Sequence, residues 1–350
     1  MTGGVQTEPA RQRTALVAGG AGFLGSHLCE ALLGEGASVI CVDNLVTGQQ
    51  ANVAALDEHP RFRFIRHDVM KALRIEEPVT EIYNLASAAS PPRYQARPVH
   101  TLMTNVAGTA NLLAMAQAKG ATFLQASTSE VYGDPEVHPQ PESYRGHVNC
   151  TGPRACYDEG KRAAEALCFD FLRSGRADVR VARIFNTYGP RMDPEDGRVI
   201  SNLIMQACAG QPLTVHGSGS QTRSFCYVDD LIAGLLALMR VEPNPMVPVN
   251  LGNPGEITVH DVADMILARM PHAGDPVFRP LPQDDPQRRC PDISLAGELL
   301  GWQPRIPFED GLERTIAWFS AFYGDKPGEN PQPPYPMDDE QERDEQQIVQ

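Results

Sequence analysis

The chain has 350 residues, of which 42% are hydrophobic and 21% are charged, and its formal net charge at pH 7 is −14. That length and composition are typical of a soluble globular protein with two domains, or with one domain and a substantial lobe. The negative charge argues against a nucleic-acid-binding surface and against docking on anionic membranes, so an anionic substrate requires a local basic pocket.

The sequence carries no evident targeting or membrane segment. No apolar run is long enough to span a bilayer, and Met1–Thr14 lacks the apolar core of a signal peptide. The cysteines are scattered and form no C-x-x-C pair, which favours reduced thiols in a cytoplasmic protein over a disulfide framework or a zinc site. They are Cys29, Cys41, Cys150, Cys156, Cys168, Cys208, Cys226 and Cys290.

A nucleotide-binding pattern opens the chain. TALVA (Thr14–Ala18) is apolar enough to be a buried parallel strand, and GGAGFLG follows it before the helical pattern SHLCEALLGEG. Gly19, Gly22 and Gly25 permit a tight turn, a close approach of the backbone to a pyrophosphate and close packing of helix on strand. A glycine motif alone is weak evidence, but a strand, glycines and a helix in this order predict a dinucleotide site.

The second predicted strand supports the same site. Ser38–Val42 ends at Asp43, about twenty residues beyond the glycines, where a carboxylate binds the 2′-hydroxyl of the adenosine ribose. The next residue is Asn44 and not an arginine that would accommodate a 2′-phosphate. The sequence therefore predicts NAD rather than NADP.

Strands and helices alternate through the middle of the chain. Such alternation predicts an α/β fold with a doubly wound parallel sheet of the Rossmann type. Further strands are predicted at Phe62–Ile65, Glu81–Ala86, Thr122–Ala126, Val179–Ile184 and Met246–Leu251, a turn-rich loop at Ser87–Pro92, and helices at Pro98–Lys119 and Gly152–Gly175.

After about residue 184 the segments become shorter and richer in Gly and Pro, which predicts a smaller C-terminal lobe closing over the strand ends. Helices are predicted there at Val199–Ala209, Asp229–Arg240, His260–Met270, Leu295–Leu300 and Phe308–Phe322. We therefore divide the chain into a flexible N-terminus (1–13), an NAD-binding domain (14–184, with returning segments near 225–252), a substrate-binding lobe (185–224 and 253–323) and a disordered acidic tail (324–350).

The segment RACYDEGKR carries Tyr157 and Lys161 four residues apart, a spacing that places both side chains on one face of a helix. An ammonium beside a phenol favours the phenolate, so the pair predicts a general base for a sugar or alcohol hydroxyl. Tyr-x-x-x-Lys also arises by chance on amphipathic helices, so this interpretation depends on the surrounding sequence.

GGAGFLG, Asp43, ASTSEVYG and YDEGK together resemble the extended short-chain dehydrogenase/reductase superfamily of nucleotide-sugar enzymes. More narrowly, ASTSEVYGDPEVHPQ, GPRACYDEGKR, RIFNTYGPRM, DGRV, SQTRSF, LGNP and RRCPDI resemble the UDP-glucuronate decarboxylase family, also called UDP-xylose synthases. The resemblance runs from about Thr14 to Phe322. It implies conversion of UDP-glucuronate to UDP-xylose through C4 oxidation by tightly bound, recycled NAD, loss of CO₂ from the 4-keto intermediate and re-reduction at C4.

The resemblance also implies the catalytic roles. Tyr157, supported by Lys161 and hydrogen-bonded through Thr128, deprotonates the C4 hydroxyl, and no metal is required. Ser129 or Glu130, directly or through a water, takes part in returning a proton to C5. Ser129 stands where the related 4,6-dehydratases carry an acid that expels the C6 hydroxyl, and the 4-epimerases usually lack the glutamate.

The pyrophosphate and the carboxylate of such a substrate call for forked guanidinium donors. Arg289 is expected to lie nearest the carboxylate and C5, and Arg288 is the alternative candidate for this role. A single arginine considered without its neighbours is more often a solvated surface residue. The substrate contacts that the resemblance implies are Tyr94, Asn111, Arg154, Asn186, Arg198, Arg223 and Arg289.

The expected NAD contacts come from the glycine turn, the ends of the strands, the loops that follow them and the catalytic helix. They are Gly19, Gly22, Phe23, Leu24, Gly25, Asp43, Asn44, Leu45, Thr47, Gly48, Asp68, Val69, Leu85, Ser87, Thr104, Ala126, Tyr157 and Lys161.

Two alternatives stay open at this point. Among enzymes, the alternative is another sugar-nucleotide 4-epimerase or 4,6-dehydratase, and Ser129 and the RRCPD block count against both. Outside enzymes, it is a catalytically silent NAD-binding regulator of the same fold, against which the intact set of Thr128, Tyr157 and Lys161 argues. By family analogy we also expect a homodimer in which the helices Pro98–Lys119 and Gly152–Gly175 pair.

Overall fold

A parallel sheet forms the centre of the fold. In the computed structural model, which describes residues 13–280 and 288–324, seven strands pair in the order 11, 6, 5, 4, 1, 2, 3 by sequence number, and every pairing is parallel. The strands among the described residues are β1 (Thr14–Ala18), β2 (Ser38–Asp43), β3 (Phe62–Arg66), β4 (Glu81–Asn84), β5 (Thr122–Thr128), β6 (Val179–Ile184), β7 (Thr187–Tyr188), β8 (Pro212–His216), β9 (Thr222–Ser224), β10 (Cys226–Tyr227), β11 (Val249–Leu251), β12 (Glu256–Thr258) and β13 (Gly274–Arg279).

Helices connect the strands and begin or end close to the predicted positions. They are α1 (Phe23–Gly34), α2 (Pro91–Ala96), α3 (Pro98–Met103), α4 (Thr109–Lys119), α5 (Ala155–Arg173), α6 (Val199–Cys208), α7 (Val228–Arg240), α8 (Val259–Arg269), α9 (Ser294–Leu300) and α10 (Phe308–Gly324).

Both faces of the sheet are covered. Successive residues of β1 enter different hydrophobic clusters: Ala15 and Val17 pack with leucines of α1 and α7, whereas Leu16 and Ala18 pack with residues of α4 and α5. A strand buried on both faces needs a continuous apolar run rather than an alternating one. Accordingly, all residues from Ala15 to Ala18 are apolar and buried. The predicted doubly wound Rossmann fold is thereby confirmed.

The remaining strands lie outside the central sheet. β8 pairs with β13, β9 with β12 and β7 with β10, and α6 packs against α8 and α10. The chain returns to the sheet at β11, which is shorter than the predicted Met246–Leu251. Met246 has a positive φ of 59° and its N–H donates to the Asn244 side chain at 2.8 Å, so a turn occupies the predicted strand start.

Two further predicted segments differ from the structure. The region Pro98–Lys119 is interrupted by a π-helical turn at Thr104–Gly108, where Gly108 packs so closely that a Cβ on it would lie 2.7 Å from Val69 Cγ2. Wide turns of this kind occur inside α-helices at functional sites. The predicted loop Ser87–Pro92 is shorter, because the proline pair starts α2 at Pro91.

The predicted flexible N-terminus and acidic tail lie outside the described residues, except for one residue of each. Arg13 pairs with Glu35 at 2.8 Å and also with Glu81, and Gly324 is the last residue of α10. Within residues 13–280 and 288–324, no helix combines the length and the apolar character that crossing a membrane requires.

Candidate active site

A cavity of about 780 Å³ opens at the carboxyl ends of β1, β4, β5 and β6. Parallel sheets bind ligands at this edge, because the connections to neighbouring strands diverge there and leave a crevice. A smaller cavity of about 70 Å³ adjoins it and shares Gly19, Gly22, Leu85 and Ser87 with it. The site is therefore elongated, with two compartments.

The turn after β1 has space only for glycine. A Cβ on Gly19, whose φ is +76°, would lie 2.7 Å from the carbonyl carbon of Leu85, and a Cβ on Gly25 would lie 2.1 Å from the Gly19 oxygen. Gly22 caps α1 without a side chain, and no acidic residue follows in the first turn. The positive end of the helix dipole is therefore left for a ligand, which fits a pyrophosphate.

Asp43 ties the glycine turn to the loop after β2. Its Oδ2 accepts from the Ala21 N–H at 3.0 Å and its Oδ1 from the Leu45 N–H at 2.8 Å. Burial raises the pKa of Asp43 above its usual value, although both hydrogen bonds oppose the rise. A Cβ on Gly48 would lie 2.7 Å from the same carboxylate, so this loop packs directly on Asp43. The carboxylate borders the smaller cavity, as an adenosine ribose site requires.

Asp68 lies in a hydrogen-bonded cluster beside that cavity. Its Oδ2 accepts from Asn44 Nδ2 at 2.9 Å and lies 3.2 Å from His100 Nε2, and its Oδ1 accepts from the Met70 N–H at 2.8 Å. Although burial acts to raise it, these bonds lower the pKa of Asp68 to about 2. The cluster fixes the loop after β3 rather than presenting a free carboxylate.

Tyr157 and Lys161 lie one turn apart on α5, facing the end of β5. The Lys161 Nζ donates to the Ala126 carbonyl at 2.8 Å and lies 5.8 Å from the centre of the Tyr157 ring. The nearby Thr128 side chain acts to lower the pKa of the Tyr157 phenol. The sequence-based expectation of a lowered phenol pKa is not met: burial, together with the negative charge of Glu130, raises the pKa of Tyr157, and burial lowers the pKa of Lys161 to about 8. Desolvation disfavours the charged form of both groups.

Glu130 lies between two arginines at the edge of the main cavity. Arg154 Nη2 donates to its Oε2 at 2.5 Å, and Arg289 donates through both Nη atoms, one to each oxygen. Burial acts to raise the pKa of Glu130, but Arg289 and Arg154 lower it to about 2. The site therefore holds an ionised carboxylate between two guanidinium groups, of which Arg289 is buried and Arg154 is partly buried.

A family model described as the NAD dependent epimerase/dehydratase family matches residues 15–252 of the chain. The chain belongs to this family. Among characterised relatives, UDP-glucuronic acid decarboxylase 1 of Danio rerio is 54% identical over 314 residues, covering 90% of this chain and 74% of the relative. UDP-glucuronic acid decarboxylase 6 of Arabidopsis thaliana is 52% identical over 299 residues, covering 85% of this chain and 86% of the relative.

Solved structures of epimerases and dehydratases share the fold. An epimerase of Methanothermobacter thermautotrophicus superposes with a TM-score of 0.82 at 28% identity, covering 89% of this chain and 94% of that chain. The dTDP-glucose 4,6-dehydratase DesIV of Streptomyces venezuelae, with NAD and TYD bound, superposes with a TM-score of 0.80 at 28% identity, covering 89% of this chain and 98% of that chain.

Most predicted site residues of this epimerase/dehydratase family member line the two cavities. Asp43, Asn44, Gly48, Val69 and Thr104 line the smaller one. Those that line the main cavity are Gly19, Gly22, Phe23, Leu24, Gly25, Thr47, Leu85, Ser87, Ala126, Thr128, Ser129, Glu130, Arg154, Tyr157, Lys161, Asn186, Arg198, Arg223 and Arg289.

Four predicted contacts lie elsewhere. Asn111 is exposed on α4, and its amide donates to the carbonyls of Val69 and Met70 at 2.9 Å, so it fastens a loop and lines neither cavity. Tyr94 is 1% exposed and stacks on Tyr157, with ring centroids 5.0 Å apart and planes 2° apart, so it supports the phenol from behind. Leu45 and Asp68 are likewise outside both linings.

Sequence reasoning missed several charged residues at or beside the site, among them Arg93, Arg191 and Asp158. Arg93 and Arg191 line the main cavity, where they pair with Asp193 and Glu30, each at 2.6 Å. Arg191 lies within the block RIFNTYGPRM, which was the available signal; Arg93 merely follows a loop predicted to border the site. Asp158 is buried beside Tyr157 with its Oδ1 unbonded among the described residues, and burial together with Glu130 raises its pKa to about 7.

Proposed function

We propose that this protein converts UDP-glucuronate to UDP-xylose, with bound NAD recycled within each turnover. One observation carries the proposal: more than half of the aligned residues are identical to proteins named UDP-glucuronic acid decarboxylases over most of the chain. The geometry supports it, because Arg154 and Arg289 already hold one carboxylate, that of Glu130, beside the proposed base. The same guanidinium groups suit the carboxylate of a glucuronate.

The residues of the elongated site fit NAD. The glycine turn and the first turn of α1 suit its pyrophosphate, and Asp43 suits the adenosine ribose. When bound, NAD supplies the oxidation of C4, its later re-reduction and a cationic ring that favours ionisation of a neighbouring phenol. Tyr157 needs such a charge, because burial leaves its phenol protonated at neutral pH in the ligand-free protein.

Tyr157 is the proposed proton acceptor for the C4 hydroxyl. Thr128 lies beside the phenol, Lys161 is held by the Ala126 carbonyl, and Tyr94 stacks behind the ring. These contacts restrict the phenol to one orientation, so the Oη position is set before substrate arrives. Proximity and orientation therefore come from the packing of α5 against β5.

Oxidation at C4 makes the substrate a β-keto acid, which loses CO₂ readily because the electrons pass into an enolate. We propose that Tyr157, now protonated, donates a hydrogen bond to the enolate oxygen, and that Arg289 holds the departing carboxylate. The proton delivered to C5 comes from solvent and is passed on by Ser129 or by a water that Ser129 binds. Glu130 is ionised between its arginines and has no proton to give, so its part is to fix Arg154 and Arg289.

Ser129 distinguishes this reaction from dehydration. Expulsion of a C6 hydroxyl requires a positioned acid to protonate the leaving group. Ser129 lines the cavity next to Glu130, but a serine hydroxyl is a poor acid and the neighbouring glutamate is ionised. The 4,6-dehydratase alternative therefore lacks its proton donor.

Incubation of the purified protein with UDP-glucuronate and no added NAD, followed by mass spectrometry of the nucleotide sugars, tests the proposal. We expect a UDP-pentose and release of CO₂. A UDP-4-keto-pentose would contradict the closing reduction, and turnover only on addition of NAD would contradict tight retention. Unchanged substrate in the presence of NAD would overturn decarboxylation in favour of an epimerase or a silent NAD binder.

We further propose that the described residues of 185–224 and 253–323 form the substrate-binding lobe, supported by Arg198 and Arg223, which line the same cavity as Tyr157 and Lys161. A homodimer formed through the region of α3, α4 and α5 is supported by Val99, which is 48% exposed on α3. Light scattering at micromolar concentration tests this. All eight cysteines are free thiols, which supports a cytoplasmic location.

A further inference from the structure

Three side chains with metal-binding atoms converge at Cys290, the residue that follows Arg289 in the chain. His138, Glu256 and Cys290 each offer one ligand atom, and these three atoms lie within 4.8 Å of one another. None of the three residues lines either cavity of the proposed active site. We propose that they form a binding site for a zinc ion, separate from the catalytic centre and independent of the proposed function.

The fold holds two of these residues together through Gln140, which is fully buried. The Gln140 N–H donates to the Cys290 carbonyl at 2.9 Å, and the Cys290 N–H donates to Gln140 Oε1 at 2.9 Å. His138 is only two residues before Gln140, so its position relative to the thiol is set by this reciprocal pair. These two hydrogen bonds therefore hold the segments of His138 and Cys290 next to each other.

The third residue comes from a separate two-stranded sheet. Glu256 begins β12, which pairs antiparallel with β9, and Thr222 at the other end of that pairing donates to Glu256 Oε1 at 2.5 Å. Its other oxygen, Oε2, lies 3.0 Å from His138 Nε2. A hydrogen bond to the oxygen that faces away from the site is the kind of support that orients metal-ligating carboxylates.

The donor set identifies the ion. One imidazole nitrogen, one thiol sulfur and one carboxylate oxygen are ligands that zinc accepts together, whereas magnesium and calcium prefer oxygen alone. Zinc with bonds of about 2.0–2.3 Å requires ligand atoms roughly 3.5 Å apart, so these atoms need to move by about 1 Å or less. Because the His138 and Glu256 side chains are 31% and 30% exposed, the open side admits a water as fourth ligand.

Zinc binding exchanges protons and hydrogen bonds for bonds to the metal. Zinc displaces the thiol proton of Cys290 to solvent and forms a zinc–thiolate bond, while His138 binds through a neutral imidazole and Glu256 as a carboxylate. The contact between His138 Nε2 and Glu256 Oε2 is replaced by two bonds to the metal, and the proton on Nε2 moves to Nδ1 of a neutral ring or leaves a protonated ring for solvent. No electron transfer is involved.

The experiment uses the full chain after chelator treatment and dialysis. Titration with Co²⁺ as a spectroscopic probe, and with Zn²⁺ in competition, reports a thiolate charge-transfer band when a cysteine binds the metal. We expect one metal per chain with a dissociation constant below about 10 μM, and a rise of about 2–5 °C in Tm with zinc. Cys290→Ser is expected to abolish the band and to weaken zinc binding at least 10-fold, and His138→Gln to weaken it at least 10-fold.

Cys150→Ser is the matched control, because Cys150 is an exposed thiol elsewhere in the chain, and this variant is expected to bind like the unmodified protein. Circular dichroism checks that each variant is folded; if Cys290→Ser is not, His138→Gln and Glu256→Gln carry the test. Equal zinc affinity in the site variants and the unmodified protein would overturn the proposal. So would weaker binding than about 100 μM by the unmodified protein, which would leave an ordinary ion pair beside a buried thiol.

Discussion

Glu130 and Arg289, which are 159 residues apart in the chain, form a two-pronged ion pair at the edge of the main cavity. Arg289 is buried, and its Nη2 lies 3.0 Å from Glu130 Oε2. Removing one partner of such a pair leaves an uncompensated charge in a poorly solvated place. The pair therefore joins the segment that follows residue 287 to the end of β5.

The first prediction concerns this pair. Arg289→Met is expected to lower kcat/KM for UDP-glucuronate at least 100-fold, because both the carboxylate contact and the restraint on Glu130 are lost. Arg154 still pairs with Glu130, so the cost in unfolding free energy is about 3 kcal/mol, at the low end for a broken buried pair. Steady-state kinetics and urea denaturation measure the two effects.

The neighbouring Arg288 supplies the control, because its side chain is exposed. Arg288→Met is expected to change the unfolding free energy by less than about 0.5 kcal/mol and to leave kcat/KM within about threefold. Equal losses in the two variants would contradict the placement of Arg289 at the substrate.

The second prediction uses the stacked rings of Tyr157 and Tyr94. Tyr157→Phe is expected to abolish turnover while NAD stays bound, because the ring still stacks but no phenol accepts the C4 proton. Tyr94→Phe removes a hydroxyl with no hydrogen-bond partner among the described residues, so it is expected to keep most activity and stability. Single-turnover kinetics and the bound-nucleotide content of both variants are compared. Full activity in Tyr157→Phe would contradict the role of Tyr157 as proton acceptor for the C4 hydroxyl.

A third prediction concerns the glycine turn. Gly25→Ala places a methyl group 2.1 Å from the Gly19 carbonyl oxygen, a backbone atom that cannot move without opening the turn. We expect loss of retained NAD and an NAD affinity at least 50-fold lower, measured by calorimetry on the nucleotide-free protein.

Gly34→Ala is its matched control at the other end of α1. A Cβ there meets nothing within 4 Å, and alanine favours helix over glycine by about 1 kcal/mol. This variant is expected to bind NAD normally and to melt at the same or a slightly higher temperature. NAD binding by Gly25→Ala at the level of Gly34→Ala would mean that the turn does not contact the cofactor.

The fourth prediction is a pH dependence of stability. The pKa of Asp158 rises from 3.8 to about 7 on folding, so between these values the folded state binds more protons than the unfolded state. Stability therefore falls as pH rises through this window, and the full penalty applies above about pH 7. Three pKa units correspond to a penalty of up to about 4 kcal/mol.

Asp158→Asn removes this titration. The variant is expected to be more stable than the unmodified protein at pH 8 and to lose the advantage towards pH 4, as measured by urea denaturation across the range. Asp170→Asn changes the same charge at an exposed position of α5 and is expected to alter stability by less than about 0.5 kcal/mol. An equal gain at pH 4 and pH 8 would contradict the titration of Asp158.

Local patterns in the sequence were sufficient to predict the sheet and the glycine turn. The run Thr14–Ala18, the glycines after it and Asp43 predict a strand, a turn and a ribose-binding carboxylate, because steric demands on glycine and the burial of a parallel strand act within a few residues. The helix of Tyr157 and Lys161 is predicted for the same reason: a spacing of four is a property of the helix itself.

Some predictions differ from the structure because packing against distant segments overrides the local sequence pattern. The helix predicted over Pro98–Lys119 opens into a π-helical turn, because Gly108 meets Val69 from another segment. The phenol of Tyr157 has a raised pKa, because the desolvation around it depends on what α5 packs against. Tyr94 supports that ring instead of lining the cavity, since α2 turns its ring onto α5.

The amino-acid sequence by itself determined the fold class, the glycine turn and the residue types of the proposed catalytic set, since these follow from local sterics, hydrophobic period and resemblance. Only the tertiary structure decided which polar side chains come into contact. Glu130 contacts Arg289, and His138 lies close to Glu256 and Cys290. Such pairs join segments more than a hundred residues apart. Their energies depend on burial and on distances of a few ångströms, which arise only when the whole sheet and its connections have packed.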